Sequence, residues 1–412
     1  MHIVVLGEGL SPVFVARWLR RLSSTVDITI LSQRGKLGYS INLLPLYAVG
    51  GLVAREITPI SLDYVKNVLR TNVIFENYKI NLKEKIVLLN NEKLEFDYLI
   101  LALNPKPVPP AYAPISKAKC PWYINDARDI RNLIDNVSKV MLTGDFLTSI
   151  TLYELLTKLG YKCRIFIDEH STYYLDNDLY RLIIGSIEDS AISEDLEELR
   201  EADLVLYGGY WCLPDLLTNL KLKTGKFGIM IGETCLSSNK FIYVIGGCAE
   251  HIISYGVRYL PLSEGLHDVE SLIVATNVLS LRRALRLRKA LGSLYCKCNN
   301  CTILTLGSTV KEAQLADVPS TSVRLRGREP MEDVVVKIVI DRRSMSVIGV
   351  HMISSRNLDP TAIGYVHLVG YLGLTVSDLI STAPPSSLGS VTMVDPLLDA
   401  LRSSWYKLLW LS

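Results

Sequence analysis

No run of apolar residues in this chain reaches the roughly 20 that a membrane-spanning helix needs. Neither sign of charge dominates. The 44 Lys and Arg against 42 Asp and Glu leave a net charge of +2, so no global field draws in nucleic acid or acidic substrates. The six histidines are scattered without metal-ligating spacing, and no Ser-His-Asp arrangement follows from residue order. Glutamine is confined to Gln33 and Gln314, a scarcity that points to a thermophilic source. Met1-His2-Ile3 leads into a strand and not into a signal peptide, so a cytoplasmic protein is expected.

What is present begins at the N-terminus. The apolar run Ile3-Val4-Val5-Leu6 turns through Gly7-Glu8-Gly9-Leu10-Ser11-Pro12 into an amphipathic segment, Val13 to Leu22. A second β-branched run, Ile28 to Leu31, follows. Strand, glycine turn, helix, strand is the first half of a dinucleotide-binding unit. Gly7 permits the tight turn, and Gly9 lets the backbone approach a diphosphate where the helix N–H groups collect. An inherited tight turn explains the same two glycines. Two positions depart from the usual pattern. Pro12 replaces the third glycine and is tolerated in a first helical turn. Ser32 replaces the acid that grips the ribose hydroxyls and offers one hydroxyl for two carboxylate oxygens.

The chain then runs through a loop-like stretch, Gly38 to Gly51, and a helix over Leu62–Leu69 with Ser61 as its cap. A hairpin is expected over Lys85–Leu89 and Leu94–Phe96, turning at Asn90-Asn91. The buried strand Phe96–Leu103 is broken by Pro105, Pro107, Pro109 and Pro110, which read as a linker between domains. The opening architecture repeats. Val140-Met141-Leu142 leads to a turn at Thr143–Ser149, a helix to Leu159, a strand at Arg164–Ile167 and a further strand near Leu204. Beyond about Thr302 the pattern becomes strands at Val334–Ile340 and Ser346–Met352, with helices at Thr361–Tyr371 and Ser377–Ile380: an α+β domain.

Of eight cysteines, five are isolated and read as small buried residues. Cys296-Lys-Cys298-Asn-Asn-Cys301 has three thiols without a fourth ligand nearby, so no metal is expected, and a disulfide stays open. The run Arg282–Lys289 reads as the solvated face of a helix, with a phosphate-rich ligand as the alternative. Leu397, Leu398, Leu401, Trp405, Leu408 and Leu409 recur at helical spacing and suggest a subunit contact.

Taken in order, these landmarks resemble the FAD-dependent pyridine nucleotide-disulfide oxidoreductases, closest to the NADH oxidase and coenzyme A-disulfide reductase branch. The resemblance rests on the Gly7/Gly9 turn, Phe96–Leu103 before the prolines, the turn at Gly144, Ile242–Glu250, Gly307–Ala313, and a tail with Ala383-Pro384-Pro385 and Asp395-Pro396-Leu397. It implies two Rossmann-like dinucleotide-binding domains and a C-terminal α+β dimerisation domain. Their expected bounds are 1–110 with 228–300 for FAD, 111–227 for NAD(P), and 301–412 for a homodimer contact. It also implies cofactor contacts at Gly7, Gly9, Ser11, Ser32, Ala102, Gly246 and Gly247.

Four family features are altered. The redox cysteine matches Asn42, or Leu43 if the match slips by one. The Ala-Thr-Gly turn is Ala102-Leu103-Asn104. The Gly-Asp pair is Gly246-Gly247, with Cys248 next to it; a reactive thiol there would need an accessible, electropositive setting. In the second turn only Gly144 matches, with Phe146 and Ser149 at the other glycine positions. Asp145 is placed to cap the helix itself. FAD in a weakened first site, no NADH or NADPH at Thr143–Ser149, and an unassigned catalytic residue are the resulting expectations. Two functions remain: an oxidoreductase passing electrons through flavin to a small thiol, disulfide or oxygen acceptor, or a non-catalytic descendant acting as a structural or partner subunit.

Overall fold

A computed structural model describes residues 1–33, 36–90, 92–167, 175–209, 211–225, 228–253, 256–259, 264–280, 284–287, 293–298, 301–327, 334–355, 372–381 and 396–411. The first unit runs β1 (His2–Gly7), α1 (Ser11–Leu22), β2 (Asp27–Leu31), β3 (Asn72–Ile74) and β4 (Tyr98–Ala102). β1 lies between β2 and β4, parallel to both. Ile3 to Leu6 are wholly buried, as strands covered on both faces must be, which is why they read as one apolar run.

The second unit repeats this with β5 (Val140–Gly144), α2 (Phe146–Lys158), β6 (Cys163–Phe166) and β7 (Leu204–Gly208), parallel with β5 in the middle. The proline segment is not a free linker. Lys106–Pro107 pairs antiparallel with Trp211–Cys212, joining the outgoing and returning chain. After the return, β8 (Ile242–Val244) pairs parallel with β4 and completes the first sheet in the order β8-β4-β1-β2-β3. α3 (Glu264–Val278) then packs on α1.

The third unit is antiparallel: β9 (Ser293–Cys298), β10 (Cys301–Gly307), β11 (Ser320–Arg326), β12 (Val334–Asp341) and β13 (Val347–Ser354), in the order β9-β10-β13-β12-β11. α4 (Val310–Leu315), α5 (Val376–Ile380) and α6 (Pro396–Leu411) accompany it. The cysteine run forms the β9–β10 hairpin, with Cys298 register-paired to Cys301.

Several expectations are corrected. The Gly38–Gly51 stretch is not all loop: a 3-10 turn at Ile41–Leu43 runs into a helix at Leu44–Ala48, with Pro45 in its first turn. Ser61 Oγ does accept the Tyr64 N–H at 3.2 Å, but the turn over Tyr64–Val68 is of the wide π type. Residues 284–287 are not helical. Leu287 is buried and donates its N–H to the Glu233 carbonyl at 2.7 Å, whereas residues 284–286 are exposed, so this part of the run is solvated but is not a helix. The apolar stripe of α6 covers its own sheet: Leu397, Leu398, Leu401 and Leu408 pack with Leu304, Val336 and Ile338. Tyr406 and Leu409, 67% and 55% exposed, are left outside. Thr361–Tyr371 lies outside the described residues.

Candidate functional site at the first-unit turn

The C-terminal ends of β1, β4 and β8 meet the N-terminus of α1 and one face of α3, where ligands bind in parallel α/β sheets. Gly7 is register-paired with Ala102, and a Cβ on Gly7 would stand 2.3 Å from the Ala102 carbonyl oxygen. Strand packing alone therefore requires this glycine. Gly9 has φ +70°, and its Cβ would meet the Tyr39 carbonyl at 3.1 Å and the Tyr39 ring at 3.5 Å. Tyr39 is buried and donates its hydroxyl to Glu8 Oε2 at 3.3 Å.

Among the described residues no side chain caps α1: its N-cap is Leu10, and Pro12 follows in the first turn. Ser11 does not turn back on the helix. Its Oγ shares a 3.0 Å hydrogen bond with Nδ1 of His267, on α3. Gly246, at φ +74°, donates its N–H to Glu270 Oε2 at 2.7 Å, and its Cβ would lie 3.3 Å from Ser11 Oγ and 3.6 Å from the His267 ring. Glu270 Oε1 in turn meets His251 Nε2 at 2.6 Å. Gly247 follows in the same buried turn. Ser32, past the end of β2, is 2% exposed, and its Oγ has no hydrogen-bond partner among the described residues. Six of the seven expected cofactor residues thus gather at one sheet end, with Ser32 at the next strand. Cys248 is fully buried, which is not the accessible setting of a reactive thiol.

Asn42 is exposed on the segment that Glu264, the first residue of α3, holds in place. Glu264 accepts hydrogen bonds from Ser40 Oγ (2.8 Å), the Ile41 N–H (2.6 Å) and Asn42 Nδ2 (3.3 Å). Burial pushes its pKa up, and these three donors pull it partly back. His267, Glu270, Glu264 and Tyr39 were not singled out from sequence. Each reaches its partner across the fold, and no local spacing marks any of them.

The second turn is built differently. Asp145 is the N-cap of α2 and accepts the Thr148 N–H on Oδ2 at 2.9 Å. Its Oδ1 has no hydrogen-bond partner among the described residues. Burial raises its pKa to about 6, against hydrogen bonds to Thr148 that lower it. A Cβ on Gly209 would lie 2.6 Å from Asp145 Cβ, and one on Gly208 would lie 2.5 Å from Thr148 Oγ1, so the β7 end closes directly over the turn. Phe146 is buried edge-on against Tyr180, 4.8 Å between centroids.

The residues of the first turn fit a dinucleotide. The helix start is uncapped, the backbone at Gly9 has no side chain, and the buried Ser32 hydroxyl is unsatisfied where a ribose would be met. The second turn differs: Asp145 takes the Thr148 N–H, Phe146 is buried against Tyr180, and the Gly208-Gly209 strand end lies close over the helix start.

No family model matches the sequence. An NADH oxidase of Methanocaldococcus jannaschii is 23% identical over 294 residues, which cover 61% of this chain and 64% of that protein. The match therefore spans less than two thirds of that relative. Among solved structures, an NAD-dependent persulfide reductase from A. fulgidus superposes with a TM-score of 0.85 at 18% identity, over 99% of this chain and 83% of that one. The water-forming NADH oxidase of Lactobacillus brevis gives 0.84 at 16% identity, over 100% and 99%. The resemblance seen in the sequence thus holds for the architecture: the chain has the fold of the pyridine nucleotide-disulfide oxidoreductases, with two Rossmann-like units and an α+β third unit.

Proposed function

We propose that the chain is a flavoprotein oxidoreductase of the pyridine nucleotide-disulfide type, passing electrons to a thiol, disulfide or oxygen acceptor. The observation that carries this reading is the contrast between the two turns. α1 starts uncapped just after Gly9, with an unsatisfied buried hydroxyl at Ser32, whereas α2 is capped by Asp145. FAD, when bound, supplies the two-electron chemistry, and the protein supplies position and electrostatics. Gly9 and the start of α1 would hold its diphosphate, Ser32 its ribose, and Gly246-Gly247 would line it from β8.

The site is weakened. One hydroxyl in place of a carboxylate costs about 1–3 kcal/mol, roughly tenfold to a hundredfold in affinity. NAD(P)H is not the donor at Thr143–Ser149, so electrons reach the flavin from another reductant. The reading includes the cytoplasm, a thermophilic source and a homodimer through residues 302–412. The exposed Tyr406 and Leu409 are what α6 leaves for such a contact. Reconstitution is the test. FAD added to the purified protein should give a yellow complex with a one-to-one endpoint that is lost on long dialysis. Stoichiometric retention through dialysis would count against the weakened site. No uptake at all would overturn the flavoprotein reading.

A second reading is favoured by two features: the cap on the second turn, and Asn42 or Leu43, neither of which can form a disulfide, at the position that matches the family's redox thiol. Under it the chain is a non-catalytic structural or partner subunit, and it takes up neither nucleotide.

A further inference from the structure

Among the described residues, four helices carry side-chain caps: Asp145 on α2, Asp195 on Leu196–Glu201, Thr309 on α4 and Thr375 on α5. α1 has none: its N-cap is the apolar Leu10, and the nearest hydroxyl is that of Ser11, the first helical residue. The hydroxyl is drawn away by His267, and both side chains are at least 95% buried. One helical turn on, Glu270 takes the Gly246 N–H. Residues three apart on a helix share a face. α3 therefore presents one histidine to the start of α1 and one carboxylate to the end of β8, and the Gly246 turn rests against the first of these contacts.

We propose that His267 and Glu270 are positioning residues of the first-unit cofactor site. His267 keeps the Ser11 hydroxyl off the N-terminal amides of α1, and Glu270 fixes the Gly246 turn beside them. The inference rests on the reading of that turn as an FAD site. The geometry is specific to one ring nitrogen. A carboxamide at position 267 retains a polar atom near Nδ1, whereas an apolar side chain releases Ser11 to fold back as a cap and compete with the diphosphate. His251 Nε2 meets Glu270 Oε1 at 2.6 Å from the far side, so the Glu270 side chain is held in place without any ligand.

The test is an FAD titration by fluorescence quenching on the full-length wild type and on Ser11→Ala, His267→Leu, His267→Asn and the Ser11→Ala/His267→Leu double variant, with melting temperatures alongside. His267→Leu should weaken FAD about tenfold, and His267→Asn only about twofold. Removing the hydroxyl from the Leu variant should restore binding, because the competing cap is gone. That rescue separates positioning from general damage, which would lower both affinity and melting temperature and would not be repaired by a second change. Wild-type affinity in His267→Leu, or a double variant that binds worse than either single one, would overturn the proposal. If the wild type takes up no FAD, the flavoprotein reading and this inference fall together. If the wild type binds and only the variant pattern fails, the reading stands alone.

Discussion

Asp145 Oδ2 takes the backbone N–H of Thr148 at 2.9 Å, so the helix start that would bind a cofactor's phosphate in the second unit is occupied by the chain's own carboxylate. The same acid keeps a second oxygen buried without a hydrogen-bond partner among the described residues. A fixed charge held that way is costly, and its cost can be measured.

Asp145→Asn tests it. Burial raises the folded-state pKa from 3.8 to about 6. A raised carboxyl pKa contributes stability that is full below the unfolded value and is lost as pH rises through the folded one. Wild type should therefore lose up to about 3 kcal/mol between pH 4 and 7 from this group. Asparagine keeps the cap and does not titrate. The variant should be more stable than wild type at pH 7.5 and flatter across the range. Parallel denaturant curves at pH 4.5 and 7.5 for the two proteins would rule this out.

Gly7→Ala should damage the fold before it damages any binding. Its Cβ would stand 2.3 Å from the Ala102 carbonyl oxygen, and backbone there cannot step aside without shifting the β1–β4 register. Overpacking of this kind costs about 1–3 kcal/mol or more. A melting temperature equal to wild type, with only FAD affinity reduced, would show that the glycine serves the ligand and not the strands.

Lys337 is buried in β12 and pairs with Asp176 at 2.8 Å and Asp178 at 2.6 Å. Asp176 also takes the Val310 N–H at the start of α4, so this charge group ties the second unit to the third. Lys337→Met leaves the buried Asp176 without its cation, whereas Asp178 is part-exposed and keeps Arg324 at 3.3 Å. The expected loss is about 3–5 kcal/mol, read by chemical denaturation. A loss under about 1 kcal/mol would place the pair among ordinary surface ion pairs.

How much of this was legible beforehand follows from what each feature depends on. The continuous runs Ile3–Leu6 and Val140–Leu142 announce strands because parallel strands are buried on both faces. The Asp145 cap was legible too, since a cap and its helix are neighbours in sequence. The Ser11–His267 bond was not, because 256 positions separate its ends and neither residue is unusual locally. The charge density of Arg282–Lys289 suggests a solvated helix; its described residues 284–286 are solvated but not helical, because the backbone of Leu287 is pinned to the Glu233 carbonyl, a partner remote in sequence. The last helix was read correctly as amphipathic, but its apolar stripe had a cover within the chain.

The second turn should bind neither NADH nor NADPH, at any pH in the stable range. Two separate obstacles act there. One is charge: below about pH 6 Asp145 becomes neutral, and the repulsion of a diphosphate is relieved. The other is space, and it does not titrate. Asp145 sits against Gly209 and Thr148 against Gly208, so the strand end and the helix start already touch. Phe146 is held by Tyr180, and Ser149 is buried where close helix–strand packing would call for glycine. If charge alone closed the turn, nucleotide affinity would recover on acidification. With space closed as well, it should not. Calorimetric titration of each nucleotide into the full-length protein at pH 5.5 and 8 should give no binding heat at either. Micromolar affinity that protects the amides of 143–149 from hydrogen exchange would show that the β7 end can lift away and that the turn is a working site. Affinity appearing only at pH 5.5 would mean that the carboxylate, and not the packing, is what keeps the nucleotide out.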